Sequence, residues 1–348
     1  MFLEKSTGRQ NSTGKLGGGL CRMRVTMTSF SPDVSVVVCT QNRSALLGRV
    51  CREALQQKLS GQQWELVIVD NCSTDDTQDI ARAIESENPE NVCVIQETEL
   101  GLSAARNAGV RSSRGEYVVF LDDDAFPEPG WLQAIVGALQ SGGIRCAGGP
   151  VQPLFQGELP RWFLGRFLPY LSVWDLGDKE RELTYDEYPR GANIGFRKNA
   201  LEAAGGFCTD LGRKGNNLLS CEETELCLRI ERLGGRIVYA PEARVRHLIN
   251  IERISPTWLI ERFEAQGRSE AIINWRHGGL QALIQGTRTF SNRWRAAASE
   301  IDNGGDLFVR CQRRSFFGYL RGSLPALLTV DRCRWPKGSR PARWAPSR

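Results

Sequence analysis

Three consecutive carboxylates, Asp122, Asp123 and Asp124, directly follow an apolar run of the sequence. The run, Tyr117–Leu121, has the length and composition of a buried strand. Like charges at the end of a strand repel one another and raise each other's pKa, so either solvent or a cation has to compensate them. Because Mg²⁺ and Mn²⁺ prefer carboxylate oxygens, a divalent metal site is one interpretation and a solvated acidic turn is the other.

The segments that must position these carboxylates alternate between strand and helix signals. Strands that alternate with helices predict an α/β protein whose mainly parallel sheet carries helices on both faces. Ser73 has the side chain and position of an N-cap for the second helix. The predicted strands are 34–38, 64–69, 92–96 and 117–121, and the predicted helices are 44–59, 73–86 and 101–110.

Polar residues also follow the first two predicted strands. In parallel α/β sheets, ligands lie beyond the carboxyl ends of the strands. We therefore expect these residues to face the same crevice as the three carboxylates. They are Thr40, Gln41, Asn42 and Arg43 after the first strand, and Asp70 and Asn71 after the second.

The pattern is less regular after residue 125. Residues 155–189 are rich in Pro, Trp, Phe and Tyr with weak periodicity, and they predict a long loop or short helices over the crevice. An amphipathic helix is predicted at 254–275. The other predicted elements are short strands at 190–196, 237–239 and 245–247 and helices at 199–204 and 222–233.

The composition is that of an ordinary globular protein. Of the 348 residues, 41% are hydrophobic and 24% are charged, and no apolar run is long enough to span a bilayer. Eleven cysteines without CxxC spacing, and no visible secretory leader, favour reduced thiols in the cytoplasm. Residues 1–33 lack an apolar core segment and predict a flexible tail.

The C-terminal segment mixes basic and bulky apolar residues. From residue 310 onward there are ten Arg or Lys residues and one acid, Asp331. This mixture predicts peripheral contact with an anionic membrane on its inner face; a basic tail that only aids solubility is the alternative. We expect no nucleic-acid partner, because the acidic strand end would repel phosphates. The interleaved apolar residues are Phe316, Phe317, Tyr319, Leu320, Leu324, Leu327, Leu328, Trp335 and Trp344.

Six short motifs occur in a fixed order along the chain. They are VVVCTQNR (36–43), VIVDNCSTDDT (67–77), GLSAARNAG (101–109), FLDDDA (120–125), GANIGFR (191–197) and EETELCLR (222–229). Together they closely resemble family 2 glycosyltransferases of the GT-A fold, over roughly residues 34–247 and more weakly to about residue 275. The resemblance implies a GT-A domain at 34–250, with a nucleotide-binding half at 34–125 and an acceptor half at 126–250. A helical basic extension would follow at 251–348.

The resemblance implies transfer of a sugar from a nucleotide-sugar donor, with a UDP-sugar as the leading expectation, to a hydroxyl of a glycan or lipid-linked acceptor. Thr40, Asn42 and Arg43 match positions that hold the nucleoside and its phosphates. Asp70 matches the acid that binds the base or ribose, although a carboxylate there could also cap a helix. Arg106 matches a nucleotide-side arginine, and pairing with a local acid is the alternative.

The acidic strand end matches the DxD motif of the family. Asp122 and Asp124 occupy its two acidic positions, which hold a divalent ion on the donor diphosphate, and Asp123 belongs to the same donor site. His247 matches a position that often supplies a further metal ligand, and an imidazole suits Mn²⁺. A hydrogen-bonded structural histidine is the alternative reading of His247.

The catalytic base is the position where the chain departs from the family. The family usually has Glu-Asp, whereas this chain has Glu222-Glu223. Glu223 therefore takes the position of the base that deprotonates the acceptor hydroxyl, with a side chain one methylene longer. The spacing of Ser220 and Glu223 also fits a capping box, in which the glutamate would only close the start of a helix.

Acceptor contacts are expected from the aromatic segment and the strand after it. The candidates are Trp174, Tyr185, Arg190 and Asn193, although aromatic residues are also common in ordinary cores. Processive members of the family carry Gln-x-x-Arg-Trp, and the nearest stretch here, Gln266–Ser269, has no tryptophan. A single transfer per encounter is therefore expected.

Two other functions remain open at this level. A sugar nucleotidyltransferase has a similar sheet and metal, but it needs a glycine-rich loop with Arg and Lys after the first strand, and residues 40–47 lack one. Neither GxGxxG after the first strand nor GxxxxGK[ST] occurs. A non-catalytic nucleotide- or glycan-binding homologue is the second alternative, because of the glutamate at the base position.

Overall fold

An eight-stranded sheet forms the centre of the protein, whose computed structural model describes residues 31–299 and 305–329. The strands are β1 (Val34–Thr40), β2 (Trp64–Asn71), β3 (Val92–Glu97), β4 (Tyr117–Leu121), β5 (Ala125–Pro127), β6 (Ile144–Gly148), β7 (Val151–Phe155), β8 (Arg181–Leu183), β9 (Asn193–Arg197), β10 (Arg236–Tyr239) and β11 (Val245–Ile249).

The strand order of the large sheet is β3-β2-β1-β4-β9-β6-β10-β8. The first four strands in this order are mutually parallel, whereas β9 runs antiparallel to both β4 and β6. A smaller sheet has the order β5-β11-β7 and places the strand that carries His247 beside the acidic turn. The mixed but mainly parallel α/β sheet predicted from the sequence is confirmed.

Helices connect most of the strands and cover both faces of the sheet. Two short 3₁₀ helices, Gly165–Leu171 and Ile251–Ile254, lie within the longer connections. The α-helices are α1 (Ser44–Leu55), α2 (Thr77–Glu87), α3 (Leu102–Ser112), α4 (Trp131–Gln140), α5 (Lys198–Ala204), α6 (Glu222–Arg232), α7 (Pro256–Ser299) and α8 (Gly305–Thr329).

Side-chain alternation along β1 explains why both faces of the sheet are covered. Val36 and Val38 point to one face, where they join a core cluster with Leu47 of α1. Val37 points to the other face and joins a second cluster with Ala105 of α3. Because both faces are packed, the strand is a continuous apolar run rather than an alternating one.

The region after residue 255 forms two packed helices and extends well beyond the helix predicted at 254–275. α7 is broken at Gly279, whose φ of 60° and ψ of −149° lie in a region that only glycine adopts readily. A Cβ at Gly267 of α7 would lie 2.0 Å from the carbonyl oxygen of Ser315 in α8, so glycine permits the close approach of the two helices.

α8 contacts α7 on both sides of this break. The hydroxyl of Tyr319 accepts a hydrogen bond from Asn274 Nδ2 at 2.7 Å, before the break. The Tyr319 ring lies 4.7 Å from the Phe290 ring, after the break. Within residues 31–299 and 305–329, no helix has the length and apolarity needed to cross a bilayer.

Some sequence predictions differ from the structure or lie outside it. Ser73 is not the N-cap of α2: the helix begins at Thr77, and the Ser73 hydroxyl accepts a hydrogen bond from the Asn42 amide at 3.0 Å instead. The tail predicted at residues 1–33 lies outside the described residues up to residue 30. The same holds for the basic and aromatic residues after 329, including Trp335 and Trp344.

Candidate active site

The carboxyl ends of β1, β2 and β4 meet at one edge of the sheet, beside a crevice of about 780 Å³. Thr40 lies opposite Asp70 in the pairing of β1 with β2. Thr40 lines the crevice, whereas Asp70 is only 3% exposed and is not among its lining residues. The volume is sufficient for a ligand of cofactor size.

The loop after β1 is fixed by the loop after β2. Asn42 adopts a left-handed φ of 52°. Its side-chain oxygen accepts a hydrogen bond from the Thr74 amide at 2.7 Å, and Ser73 accepts one from the Asn42 amide. Asp70 accepts a longer bond from the Ser73 amide at 3.3 Å. Asn42 therefore fixes the conformation of the loop after β1, and both Thr40 and Asn42 line the crevice.

The three consecutive carboxylates are compensated by cationic side chains of the protein. Their side chains are 30%, 13% and 7% exposed in chain order, so the acidic turn is not a solvated one. The contacts are Asp122 Oδ1 with Arg106 Nη2 at 3.0 Å, Asp123 Oδ1 with Arg43 Nε at 3.6 Å, and Asp124 with His247 Nε2 and Arg253 Nη2, each at 3.1 Å.

These contacts give neighbouring carboxyl groups opposite pKa shifts. Burial acts to raise the pKa of Asp124, but His247 and Arg253 outweigh it and hold the pKa well below its usual value. Burial and the charge of Asp124 raise the pKa of Asp123 to about 7, although Arg43 opposes the shift. Asp124 is thus the carboxylate most firmly held in its ionised form.

Arg106 links the acidic turn to the start of α6. It is 1% exposed, and its Nη1 donates to Glu222 Oε1 at 2.6 Å while its Nη2 donates to Asp122. Burial would lower the pKa of Arg106, but the two carboxylates outweigh it and raise the pKa. Burial and the charge of Glu223 raise the pKa of Glu222 to about 7. The guanidinium is therefore committed to two acids of the protein.

Glu223, the predicted base, differs from Glu222 in its contacts. Its Oε1 accepts a long hydrogen bond of 3.4 Å from the Gly191 amide. Its Oε2 is buried and meets no donor in the part of the chain that the structure describes. Glu223 lines the crevice, so an uncommitted carboxylate oxygen lies beside the space where a ligand would bind.

The alternative role of Glu223 in a capping box is wrong. The N-cap of α6 is Cys221, in a left-handed conformation, and the helix start has no side-chain cap bond among the described residues. The Ser220 amide donates to Ser269 Oγ at 3.0 Å, and its hydroxyl bonds to Gln266 Oε1 at 3.2 Å. Ser220 therefore connects the start of α6 to α7 and leaves Glu223 unused as a cap.

Two of the four predicted acceptor residues line the crevice, whereas Trp174 packs in the core. Tyr185 and Arg190 both line it. Trp174 is 7% exposed, and its ring packs edge-on against Tyr239 at a centroid distance of 5.1 Å. Its backbone pairs with Val151, so Trp174 belongs to the core beside the crevice.

Asn193 also lies away from the lining of the crevice. It is fully buried in β9, and its oxygen accepts a hydrogen bond from the Trp131 indole at 2.8 Å. Its amide nitrogen donates to the carbonyl oxygens of Pro150 and Ala243 at 3.1 and 2.6 Å. With the amide satisfied by the protein, Asn193 has a structural role.

Several residues of the crevice were not identified from the sequence. They come from the first 3₁₀ helix, from the loop before α6 and from the C-terminal region. The amphipathic pattern at 254–275 was the available signal, since polar residues on the buried face of a helix indicate a site. The residues are Tyr170, Arg213, Arg253, Trp258, Arg262, Gln266, Glu270 and Arg293.

The acidic turn has the donor types that a hard divalent cation prefers. Asp122 and Asp124 offer carboxylate oxygens, and His247 offers an imidazole whose buried Nδ1 has no described partner. The donor set fits Mn²⁺ or Mg²⁺. The described residues contain no group of three or more His, Cys, Asp or Glu side chains already arranged as metal ligands, and Asp124 contacts His247 and Arg253.

Comparison with known proteins agrees with the fold. Residues 35–204 match the profile of Glycosyl transferase family 2. The chain is 30% identical over 256 residues to a glucosyl-dolichyl phosphate glucuronosyltransferase of Haloferax volcanii, covering 69% of this chain and 77% of the relative. It is 25% identical over 280 residues to the succinoglycan biosynthesis protein ExoM of Rhizobium meliloti, covering 80% and 84%.

A solved structure shows the same fold. The mannosyltransferase PcManGT of Pyrobaculum calidifontis, in complex with GDP-Man and Mn²⁺, superposes with a TM-score of 0.58 and 20% identity, covering 87% of this chain and 89% of that one. The GT-A architecture expected from the sequence is confirmed. The chain belongs to glycosyl transferase family 2, and its activity is sugar transfer.

Proposed function

We propose that the protein transfers a sugar from a nucleotide donor to an acceptor hydroxyl with inversion, and that Glu223 is the base. The observation that carries this proposal is the buried Glu223 Oε2, which meets no donor among the described residues. Glu222, its neighbour, is held by Arg106 at 2.6 Å and is not available for the same task. Both acids keep a buried Oε2 without a described donor, and they differ in that Glu222 is ion-paired with Arg106.

The chemistry follows from this separation of roles. Glu223 would remove the proton of the acceptor hydroxyl as its oxygen attacks the anomeric carbon, on the face opposite the departing nucleoside diphosphate. One new carbon–oxygen bond forms and the bond to the diphosphate breaks, so the anomeric configuration inverts. A Mg²⁺ or Mn²⁺ ion held by Asp122 and Asp124, with His247 beside them, would supply positive charge to the leaving group.

Donor binding belongs to the opposite side of the crevice. Thr40, Asn42 and Arg43 line it there, with Asn71 next to the buried Asp70. We propose a UDP-sugar as the donor; GDP-Man in PcManGT makes a GDP-sugar the first competitor. Calorimetric titration with UDP, GDP and dTDP, with and without Mn²⁺, tests this choice. Binding that ignores the metal would contradict the proposed site.

The base is tested by the variant Glu223→Gln. Its amide keeps the size of the side chain but cannot accept the proton, so we expect kcat to fall by about 10²–10⁴-fold. The dissociation constant of the nucleotide should not change. Glu202→Gln, on the exposed part of α5, is the matched control and should keep full activity. Normal turnover by Glu223→Gln would place the base elsewhere.

We propose a glycan or lipid-linked acceptor, and peripheral contact of the C-terminal helices with an anionic membrane. On α8, Arg310, Arg313 and Phe317 recur at helical spacing and are exposed. On α7 after the break, Leu280 and Ile284 are 56% and 50% exposed. Residues 271–299 contain four arginines and no acid. Exposed apolar side chains together with exposed basic ones, such as Arg310 and Arg313, suit an anionic lipid surface.

Vesicle binding tests the membrane contact. The protein should sediment with phosphatidylglycerol vesicles at low salt and less with phosphatidylcholine vesicles or at high salt. The double variant Arg310→Glu/Arg313→Glu should lose this binding. Arg181→Glu/Arg236→Glu, on β8 and β10, is the matched control and should retain it. Equal binding by the two double variants would contradict a membrane role for α8.

A further inference from the structure

Three arginines that line the crevice, Arg190, Arg213 and Arg262, have buried guanidinium nitrogens without a hydrogen-bond partner in the described residues, and Arg262 has two of them. Arg262, on α7, is 8% exposed, and its Nε and Nη1 atoms are buried with no hydrogen-bond acceptor in the described residues. Arg213, in the loop before α6, has a buried Nη1 in the same state. Both side chains line the crevice. A buried guanidinium is normally paired, so these two sites call for an anion that the protein does not supply.

The electrostatics of the two arginines support this reading. Burial lowers the pKa of Arg262. Burial also lowers the pKa of Arg213, and the charges of Arg262 and Arg253 lower it further. Arg106 is equally buried, yet its pKa is raised because Asp122 and Glu222 contact it. The pKa of Arg106 thus differs from those of Arg262 and Arg213 because Arg106 has carboxylate partners, and not because it is less buried.

The packing of α7 places Arg262 on the acceptor side. Gln266, one turn further along the same helix, bonds to Ser220 Oγ and to Cys221 Sγ, each at 3.2 Å. Cys221 is the N-cap of α6, and Glu223 follows two residues later. Phe263, next to Arg262, stacks on Tyr170 of the 3₁₀ helix at 3.6 Å. Arg262 is therefore held beside the proposed base.

The donor diphosphate is not needed to explain these charges. A divalent ion at the acidic turn would supply positive charge to the diphosphate there, whereas Arg43 and Arg253 pair with the acids of that turn. A second anion is consequently expected near the base, where the acceptor hydroxyl has to lie.

We propose that Arg213 and Arg262 form an oxyanion subsite for the acceptor, which would carry a phosphate or a carboxylate close to the hydroxyl that receives the sugar. The inference rests on the proposed function, since it takes Glu223 to mark the acceptor side. Phosphate and carboxylate share the chemistry that a guanidinium recognises, namely two oxygens able to accept paired N–H bonds.

Small anions test the subsite without knowledge of the acceptor sugar. The enzyme is first saturated with UDP and Mg²⁺, or with GDP and Mg²⁺ if UDP does not bind, and then titrated with inorganic phosphate or with acetate at constant ionic strength. We expect one of the two anions to bind the wild type, and Arg262→Gln and Arg213→Gln each to weaken it at least tenfold. Arg262→Lys should restore part of the affinity. Arg236→Gln, whose side chain on β10 is half exposed, is the control and should bind as the wild type does.

The outcomes separate the two proposals. If no nucleotide binds, the proposed function fails, and titration of the nucleotide-free protein still compares phosphate binding in the wild type and in Arg262→Gln. If the nucleotide binds but neither anion does, or if both glutamine variants bind the anion as the wild type does, the subsite is overturned. A preference for phosphate indicates a phosphate-linked acceptor, and a preference for acetate indicates an acidic sugar.

Discussion

The two sides of the crevice treat buried charge in opposite ways. On the proposed donor side, each acid of the Asp122–Asp124 turn contacts an arginine, and Arg106 contacts two acids at 2.6 and 3.0 Å. On the proposed acceptor side, Arg213 and Arg262 keep buried nitrogens without partners in the described residues, and Glu223 keeps an oxygen. The buried charges of the first side are paired within the protein, whereas those of the second side lack partners until a ligand binds.

One fold thus combines two ways of accommodating buried charge, one that concerns stability and one that concerns binding. Paired buried charges contribute little net stabilisation, but removing one partner is costly because the other charge is then left buried. Unpaired buried charges cost stability in the empty protein and return it when a ligand supplies the partner. The paired side therefore tolerates no loss of a partner, and the unpaired side should tolerate the loss of its arginines.

The largest effect is expected where pairing is complete. Arg106→Met removes the common partner of Asp122 and Glu222, and we expect the free energy of unfolding to fall by about 3–5 kcal/mol. Urea unfolding at pH 7 measures it. Arg236→Met breaks an ion pair whose side chains are about half exposed and should cost at most about 1 kcal/mol. Similar losses in both variants would remove the distinction between the two sides.

Glu225 is a paired buried charge outside the crevice, and its contribution to the free energy of unfolding depends on pH. His277 and Arg229 contact Glu225 at 2.9 and 2.6 Å. Burial acts to raise the pKa of Glu225, but these partners lower it to about 2. A carboxyl whose pKa is depressed by folding stabilises the protein above its ordinary pKa of 4.5 and loses that contribution as the pH falls toward 2. The contribution is on the order of 3 kcal/mol.

The same cluster extends the effect to milder acid. Burial lowers the pKa of His277 in the folded protein below its ordinary value of 6.5. The unfolded state therefore binds a proton at this histidine more readily than the folded state does. As a result, the free energy of unfolding also falls as the pH drops below 6.5. Urea unfolding of the wild type and Glu225→Gln between pH 7 and pH 3 measures both. We expect a flatter profile for the variant. Parallel profiles would show that Glu225 does not carry the pH dependence.

The smallest effect is expected where pairing is absent. Arg262→Met keeps the apolar stem and removes a buried charge without a described partner. We expect no loss of stability, or a gain of up to about 1 kcal/mol, in phosphate-free buffer. Thermal unfolding of this variant beside Arg106→Met compares the two sides directly. A loss as large as that of Arg106→Met would mean that Arg262 is structural.

The first half of the fold was readable from the sequence for a physical reason. A strand buried on both faces is a continuous apolar run, so β1, β2 and β4 were visible, and the polar residues at their ends marked one edge of the sheet. The three acids after β4 and Thr40 follow from that edge, whereas Arg106 was assigned from the family resemblance. Family membership and the GT-A fold are confirmed by the comparisons.

The second half depends on contacts between distant segments. An amide such as Asn193 looks the same in sequence whether it binds a sugar or two backbone carbonyls. Trp174 was likewise assigned to the acceptor, but it packs in the core, where large aromatics are common. Arg262 was overlooked because only the docking of α7 on the start of α6 brings it into the crevice, and no local pattern encodes that docking.

The contact of α8 with both sides of the Gly279 break has a consequence for protein engineering. Glu264 lies two residues after the crevice arginine Arg262 on α7, and Arg314 of α8 binds it at 2.7 Å. Beyond the break, Phe290 packs on Tyr319 of the same helix. α8 thus braces a jointed helix whose first segment forms a wall of the crevice. A chimaera designed to take on the acceptor preference of a relative has to exchange α7 and α8 together. If α7 alone were exchanged, the α8 that remains would not make the contacts that position the new α7 beside the crevice.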